Sequence, residues 1–583
     1  MKKIINKYLC IIALCFLTSC GQQSSIPSNH SESTSVSASQ KISIVERIKE
    51  NPKLSVQDRI DLYQKLKLES FDQYDFSNED ELTMFGYSYL WSDMVDEAIK
   101  IFKLIVQEFP ESANAYDSLG EAYLQHGQKK KALANYEKSF SMNPNNFIAE
   151  DQIMLLKFPD TKFETNAEKF EKVYSIQEYQ DDLEQLGNRL LEVHPNALKF
   201  ISEEDFWNII KEKQDQITAK TTFSQFRWHC NEIIASLNCS HTSSGDFYFE
   251  DEMLPVPLRV PVIVRWVDQQ LFITDPLKNN DLVSAKDEIL SINGIKVANI
   301  ISGIYKHIPS QGYIETTKKH TFNQLSSVLI PFALDFPETY NLEIKDHSDV
   351  VTLKKAESYL PPVKDSSIKR CKDDLCLDFE EDVAIMTIST FNYYPWNNLT
   401  VFQEFIDSSF KQISNKGITD LVIDLRFNGG GSMESSIFLL RYLADKTFSY
   451  HTHIDSKGED KELDKLNITP FENRYKGNVF FIIDGIGNST TGHFMSIAKA
   501  LKLGTIVGEE LGSNHFCSAG QEVCRLKNTR LVYYVANNTH VSMTSSDNDE
   551  TGVLPDYYVT QSIDEYLKRK DAVKAFTLNL IKK

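Results

Sequence analysis

The sequence predicts a multidomain chain with an all-α, repeat-containing N-terminal part, a small β-rich segment and a C-terminal α/β core. Three observations predict it. In the N-terminal part, small and aromatic residues recur at a spacing of 34 positions. Between Met253 and Lys355 short β-like runs alternate with turns. From Ala384 onward, two apolar strands each run into a glycine-containing turn that opens a helix, a pattern that builds a parallel sheet covered by helices.

The chain begins with Lys2, Lys3 and Lys7, an apolar run from Tyr8 to Leu17, and then Thr18-Ser19-Cys20-Gly21. So short an apolar core suits an export signal and is too short for a permanent membrane span. The small residues before Cys20 make the pattern resemble a bacterial lipoprotein signal. That resemblance implies removal of residues 1–19 and a lipid on Cys20, anchoring the chain to the cell envelope, on the outer or inner membrane. Residues 20–45 are rich in Ser, Gln and Thr and read as a flexible tether. No later run of eighteen or more apolar residues occurs.

A formal net charge of -20 argues against nucleic acid or an anionic lipid surface as partner. Past the signal, Cys230, Cys239, Cys371, Cys376, Cys517 and Cys524 fall in three pairs close in sequence. An oxidising compartment could bridge them, with a connectivity that sequence does not define. None sits in paired Cys-x-x-Cys motifs at zinc spacing, so neither a metal nor a cofactor is expected.

Residues 46–160 contain the repeat. Gly86, Tyr89, Ala98 and Phe102 are echoed 34 positions later by Gly120, Tyr123, Ala132 and Tyr136, and Pro110 and Pro144 close the two units. Small and large residues at this period resemble the tetratricopeptide repeat, in which small residues let paired helices pack closely. Asp58–Leu68 and Glu150–Leu156 are expected to cap the array. Such a surface suits a protein partner or serves as a spacer.

Residues 165–245 are helical in pattern, with Leu183, Leu186, Leu190 and Leu191, then Phe206, Ile209 and Ile210, then Phe226, Ile233, Ile234 and Leu237 on apolar faces. His194 and His229 read as packing residues. The stretch ends in Ser240-His241. Within 250–355, Asp287-Glu-Ile-Leu-Ser-Ile-Asn-Gly294 followed by Ile295-Lys-Val297 resembles the core of a PDZ domain, with Lys286 where a glycine is usual. A PDZ-like groove adds an extended peptide as a strand.

Residues 356–583 form the core. Asp420 to Gly431 reads DLVIDLRFNGGG, a strand followed by a turn whose backbone N–H groups can face an anion. No Gly-Lys-Ser/Thr follows, so a P-loop is disfavoured. Asn478–Asp484 is a second buried strand, and Gly485-Ile-Gly487-Asn-Ser489 leads into a helix. Ser489 therefore stands where a strand breaks into a helix, beside first-turn N–H groups able to stabilise an oxyanion. As an isolated feature it would read as a helix cap. Tyr450–Tyr475 reads as a polar insertion.

Together, Arg426-x-Asn428-x-Gly430-Gly431, Gly487-Asn-Ser489 and Gly552-Val-x-Pro-Asp556 resemble the tail-specific, C-terminal-processing and tricorn-core family of serine peptidases, from about Thr165 to the C-terminus. One branch of that family activates its serine with a lysine about 25 residues downstream. The corresponding turn here, Leu511-Gly512-Ser513-Asn514, has none. The tricorn branch uses a histidine base, a serine beside it and a glutamate near the closing turn. Carried over, the resemblance makes Ser489 the nucleophile, His241 the base and Ser240 its neighbour, with Glu550 as the orienting acid. Thr490 and Gly429 or Gly430 would supply the oxyanion N–H groups.

Two positions keep rivals. His493 occupies a place where relatives carry an acid, and gapless alignment there selects Thr490 as nucleophile. Phe494 and Ile497 preserve helix phase if Ser489 is chosen. Asp549 competes with Glu550. A neutral imidazole base implies that kcat/KM falls on acidification with an apparent pKa of roughly 6–7. The function expected is a membrane-anchored endopeptidase acting on peptides or unfolded segments. The competing reading is an inactive peptidase fold serving as a peptide receptor.

Overall fold

The computed structural model describes residues 41–245, 254–360, 363, 368, 374–391, 399–456, 459–461, 467–546 and 548–583. The expected export signal, Cys20, nearly all of the expected tether and Cys371 lie outside the described residues. Two compact units divide the chain, one ending at Phe163 and the other running from Glu164 to Lys583.

The first unit is a stack of antiparallel helices: α1 (Ile44–Lys49), α2 (Val56–Glu69), α3 (Glu79–Trp91), α4 (Val95–Glu108), α5 (Ala113–Gln125), α6 (Lys129–Met142) and α7 (Phe147–Lys157). Helix α2 starts on a Ser55–Asp58 capping box and α7 on an Asn146 cap, so the flanking helices expected from sequence are present. The 34-residue spacing has a steric cause. A Cβ at Gly86 would lie 2.6 Å from the Phe102 ring, and one at Gly120 would lie 3.1 Å from the Tyr136 ring. Each aromatic of the second helix in a pair presses onto bare backbone of the first. Ala98, Ile101, Ala122 and Ala132 complete a continuous core.

The second unit opens with α8 (Ile176–Val193), α9 (Glu203–Gln216) and α10 (Phe223–Ala235). Capping boxes at Ser175–Glu178 and Thr222–Gln225 start α8 and α10. Their apolar faces bury Leu183, Leu186, Leu190, Phe206, Phe226 and Ile233. An antiparallel sheet follows in the order β1 (Ile263–Val267), β2 (Gln270–Asp275), β3 (Glu288–Ile292), β4 (Asn341–Ile344) and β5 (Val351–Thr352). It is covered by α11 (Val297–Tyr305) and α12 (Glu315–Ala333).

The core is a six-stranded sheet. Its strands are β6 (Leu375–Glu380), β7 (Val383–Ile388), β8 (Asp420–Asp424), β10 (Asn478–Ile483), β11 (Thr505–Gly508) and β16 (Tyr557–Tyr558), in the spatial order β16-β11-β10-β8-β7-β6. All neighbours are parallel except β6, which is antiparallel to β7. Helices α13 (Thr400–Asn415), α14 (Met433–Leu443), α15 (Thr490–Ala500) and α16 (Ala572–Ile581) complete this α/β layer. Beside it, β9 (His451–Ser456), β15 (Asn538–Ser542) and β12 (Phe516–Ala519) form part of a second antiparallel sheet, and β13 (Glu522–Arg525) pairs with β14 (Val532–Val535).

Two expectations are corrected here. Residues 450–475 are more than a polar insertion: Tyr450 is 1% exposed in the main core, and β9 pairs with β15. Two of the three cysteine pairs expected from sequence proximity, Cys230 with Cys239 and Cys517 with Cys524, are not bridged. Cys230, Cys239, Cys517 and Cys524 are buried free thiols, while Cys376 is disulfide-bonded. Cys230 is held on α10 with its side chain in the helical core, which keeps it from Cys239 on the strap beyond that helix. Cys239 instead lies with its Sγ 3.7 Å from the carbonyl oxygen of Ser518, next to Cys517.

Candidate active site

Strand β10 is buried and parallel to both neighbours, so its C-terminal end emerges at the sheet edge beside that of β8. Asp484 holds both turns there, accepting from the N–H groups of Phe427 at 3.0 Å and Ile486 at 3.1 Å. Ser489 is the N-terminal boundary residue of α15, with φ 55° and ψ −125°, and its side chain makes no capping bond. A helix cap is therefore not what this serine does. A non-glycine residue in such a conformation stores about 1–3 kcal/mol of strain. A sharp strand-to-helix turn that holds a serine this way projects its hydroxyl beyond the sheet. Thr490 is regular helix, and its hydroxyl donates to the Gly431 carbonyl at 2.6 Å. Of the two candidate nucleophiles, geometry favours Ser489.

The glycine turn packs directly under that serine. Asn428 is fully buried and donates to the Ile388 carbonyl at 3.0 Å, while its own Oδ1 accepts from the Gly430 N–H and the Thr491 hydroxyl, each at 2.9 Å. Gly430 has φ 105°, and a Cβ on it would come within 2.7 Å of both Ser489 Cβ and the Asn488 carbonyl. Only glycine fits. Because the Gly430 N–H is spent inside the turn on Asn428, Gly430 does not serve as an oxyanion donor, and that expectation is corrected. Gly429 is exposed, surrounded by open space, and its N–H makes no hydrogen bond among the described residues. Thr490 brings its backbone to the first turn of α15 on the other side.

His241 lies on the strap that leaves α10. Ser243 and Tyr534 exchange backbone hydrogen bonds of 3.0 and 2.7 Å, the Thr242 hydroxyl accepts from Ala536 N–H at 3.1 Å, and Gln521 donates to the His241 carbonyl at 2.6 Å. These bonds fasten the strap to β14 and to the turn after β12. The buried imidazole has Nδ1 3.3 Å from Ser240 Oγ and 3.9 Å from Cys517 Sγ. The Ser240 hydroxyl donates to Asn488 Oδ1 at 3.0 Å. Asn488 precedes Ser489, so this contact ties the Ser240-His241 pair to the serine turn. Among the described residues no hydrogen bond joins His241 to Ser489. Burial, helped by the nearby His540, pushes the His241 pKa down to about 4.

The acids are placed differently from expectation. Glu550 has an exposed side chain that does not meet Ser240. Its backbone carbonyl accepts from the Tyr313 N–H at 2.8 Å. Asp549 points inward, 2.7 Å from His515 Nε2 and 2.6 Å from Lys199 Nζ. Burial pulls the Asp549 pKa up, but the hydrogen bonds from His515 and Lys199 outweigh it and hold the carboxyl below its ordinary range.

Comparison with known proteins identifies two segments of the chain. Residues 382–559 match the model of peptidase family S41, and residues 113–146 match that of a tetratricopeptide repeat. The chain carries a family S41 peptidase domain. The chain is a serine-type peptidase with tetratricopeptide repeats. Among curated proteins none matches. Among solved structures, mature CPAF is similar at 14% identity, over 70% of this chain and 97% of that one, with a TM-score of 0.46. The photosystem II D1 C-terminal processing protease is similar at 12% identity, over 68% and 98%, with a TM-score of 0.34. A putative peptidase from Parabacteroides merdae is similar at 14%, over 69% and 96%, with a TM-score of 0.38.

Sequence reasoning singled out His493 only as standing in the place of an acid and missed that it clusters with His451 and His540. His493 on α15 lies 5.5 Å, ring to ring, from His451 on β9, which lies 5.2 Å from His540 on β15. His451 Nδ1 and His493 Nε2 are buried without a hydrogen-bond partner. Burial first, and then the neighbouring imidazoles, push His451 down to about 3 and His493 well below its ordinary value. Nothing in the spacing of 451, 493 and 540 announces this cluster, because three separate elements bring it together. Among the described residues no group of three or more His, Cys, Asp or Glu side chains is arranged to hold a metal ion.

Proposed function

We propose that this serine-type peptidase is an exported, lipid-anchored endopeptidase that cleaves peptides or unfolded protein segments, with Ser489 as nucleophile and His241 as base. The observation that carries the mechanism is the conformation of Ser489: strained, at a strand-to-helix turn, not used as a cap, and linked through Asn488 to Ser240-His241. His241 takes the proton of the Ser489 hydroxyl as its oxygen attacks the scissile carbonyl. The resulting oxyanion is met by the N–H groups of Gly429 and Thr490, where one such donor is typically worth about 3 kcal/mol. The imidazolium then returns the proton to the leaving amine, and water releases the acyl group by the reverse exchange. Catalytic hydrogen bonds often tighten only when substrate is bound, which accommodates the resting separation of His241 from Ser489. The lipid anchor at Cys20 rests on the sequence pattern alone, as does a protein partner on the helical repeats.

The test uses a fluorophosphonate probe and a library of quenched fluorescent peptides. The parent protein should label and cleave, and Ser489→Ala should do neither. Failure of the parent to label or cleave would favour the peptide-receptor reading. For the anchor, Cys20→Ala should release the protein from membranes or leave its precursor uncut. A membrane-bound, processed Cys20→Ala protein would refute lipidation.

A further inference from the structure

Histidine bases in triads are usually oriented by a carboxylate, yet no carboxylate reaches His241 among the described residues. The titratable groups that face it are Cys517 on β12 and His540 on β15. Its Nδ1 is instead addressed by the hydroxyl of Ser240, and that hydroxyl is addressed by an amide.

We propose that Asn488 is a positioning residue of this peptidase, fixing the tautomer of His241 through Ser240 in the place a carboxylate would otherwise take. The inference rests on the Ser489–His241 reading above. Its logic is directional. An amide oxygen only accepts, so the single proton of the Ser240 hydroxyl goes to Asn488 Oδ1. The Ser240 oxygen then has only lone pairs to offer His241, so this contact favours the proton on Nδ1, and the Cys517 sulfur 3.9 Å away can accept from the same N–H. Nε2 is left with its lone pair, the form able to accept the Ser489 proton. Without the acceptor at 488, the Ser240 proton is free to turn toward Nδ1, which moves the ring proton to Nε2 and disables the base.

The backbone around Asn488 is built to hold this acceptor. Its N–H donates to the Asn428 carbonyl at 3.2 Å and its own carbonyl accepts from the Thr491 N–H at 3.1 Å. The same residue therefore registers the glycine turn, the nucleophile and the base. A neutral relay also differs from a charged one in a measurable way. It orients the imidazole without stabilising the imidazolium.

The experiment compares pH profiles of kcat/KM and separate kcat and KM values for the full chain, using the quenched peptide library, in the parent and in Asn488→Asp, Asn488→Leu and Ser240→Ala. Asn488→Asp keeps the acceptor and adds charge, so its acid limb should move up by about one pH unit with kcat largely retained. Asn488→Leu should lose about tenfold or more in kcat with KM changed little, and combining it with Ser240→Ala should add little, as expected of residues acting in one relay. An Asn488→Asp profile superimposable on the parent's overturns the proposal, as does full kcat in Asn488→Leu. If Asn488→Leu does not fold, the near-isosteric Asn488→Asp decides alone. A His241→Ala protein that keeps turnover would instead overturn the Ser489–His241 mechanism itself. An inactive His241→Ala beside an unmoved Asn488→Asp leaves that mechanism standing and removes only the relay.

Discussion

Arg426 and Asp571 are joined by two hydrogen bonds, of 2.9 and 2.8 Å, across 145 residues of chain. The same guanidinium forks onto Asp424 at 2.9 and 2.6 Å, and Asp571 is the residue that caps α16. One buried arginine thus fastens the last helix to the end of β8, immediately before the glycine turn of the site.

Removing it should be costly. Arg426→Met leaves two facing carboxylates in a buried place and should destabilise the unit from Glu164 onward by about 3–5 kcal/mol. Arg426→Lys should recover little of this, because a point ammonium cannot bridge two carboxylates through parallel pairs of hydrogen bonds. Urea unfolding followed by near-UV circular dichroism measures both, and a parental midpoint in Arg426→Met would show that the clamp is unimportant.

Strain at the nucleophile makes an opposite prediction. Ser489 pays for its backbone in stability, and glycine adopts φ 55° without that penalty. Ser489→Gly should therefore abolish cleavage while raising, or at least not lowering, the melting temperature relative to Ser489→Ala. A melting temperature below that of Ser489→Ala would mean the turn is unstrained.

How far the sequence carried depended on whether a feature was local. The strand–turn–helix units at Asp420 and Asn478 and the repeat at Gly86 and Gly120 are local in pattern, so spacing and residue type exposed them. Asn488 stood in plain sight beside Ser489, but its relevance lies in a contact with Ser240 that depends on the fold. Glu550 and Asp549 are adjacent, and that Asp549 is the one facing inward is seen only in its contacts with His515 and Lys199, residues distant in sequence that no local pattern brings together. The thiols mislead for the same reason: Cys239 meets the neighbour of Cys517 through a strap that binds β14 and β12.

The two acids now separate by experiment. Asp549→Asn removes the charge that pairs with His515 and Lys199, and it should lower both stability and kcat/KM by several-fold. Glu550→Gln alters an exposed side chain and should stay within about twofold of the parent, the usual range for surface substitutions. Equal losses in the two variants would return Glu550 to the site.

The buried imidazoles fix the pH behaviour. His229, His241 and His451 all have folded pKa values below the ordinary 6.5, at about 4, about 4 and about 3, so the unfolded chain binds more protons than the folded one between those values and 6.5. Stability is then fully present above about pH 6.5 and falls as pH drops toward 4, by about 3 kcal/mol for one group shifted from 6.5 to about 4. The base itself stays neutral through that window. The acid limb of kcat/KM should accordingly lie near pH 4, below the roughly 6–7 expected of an unperturbed imidazole. Initial rates taken within seconds of dilution into acid separate titration of His241 from slower unfolding, which circular dichroism follows in parallel. A limb at 6–7 with the fold intact would show that the imidazole acting on Ser489 is better solvated, or better partnered, than His241 is in this structure.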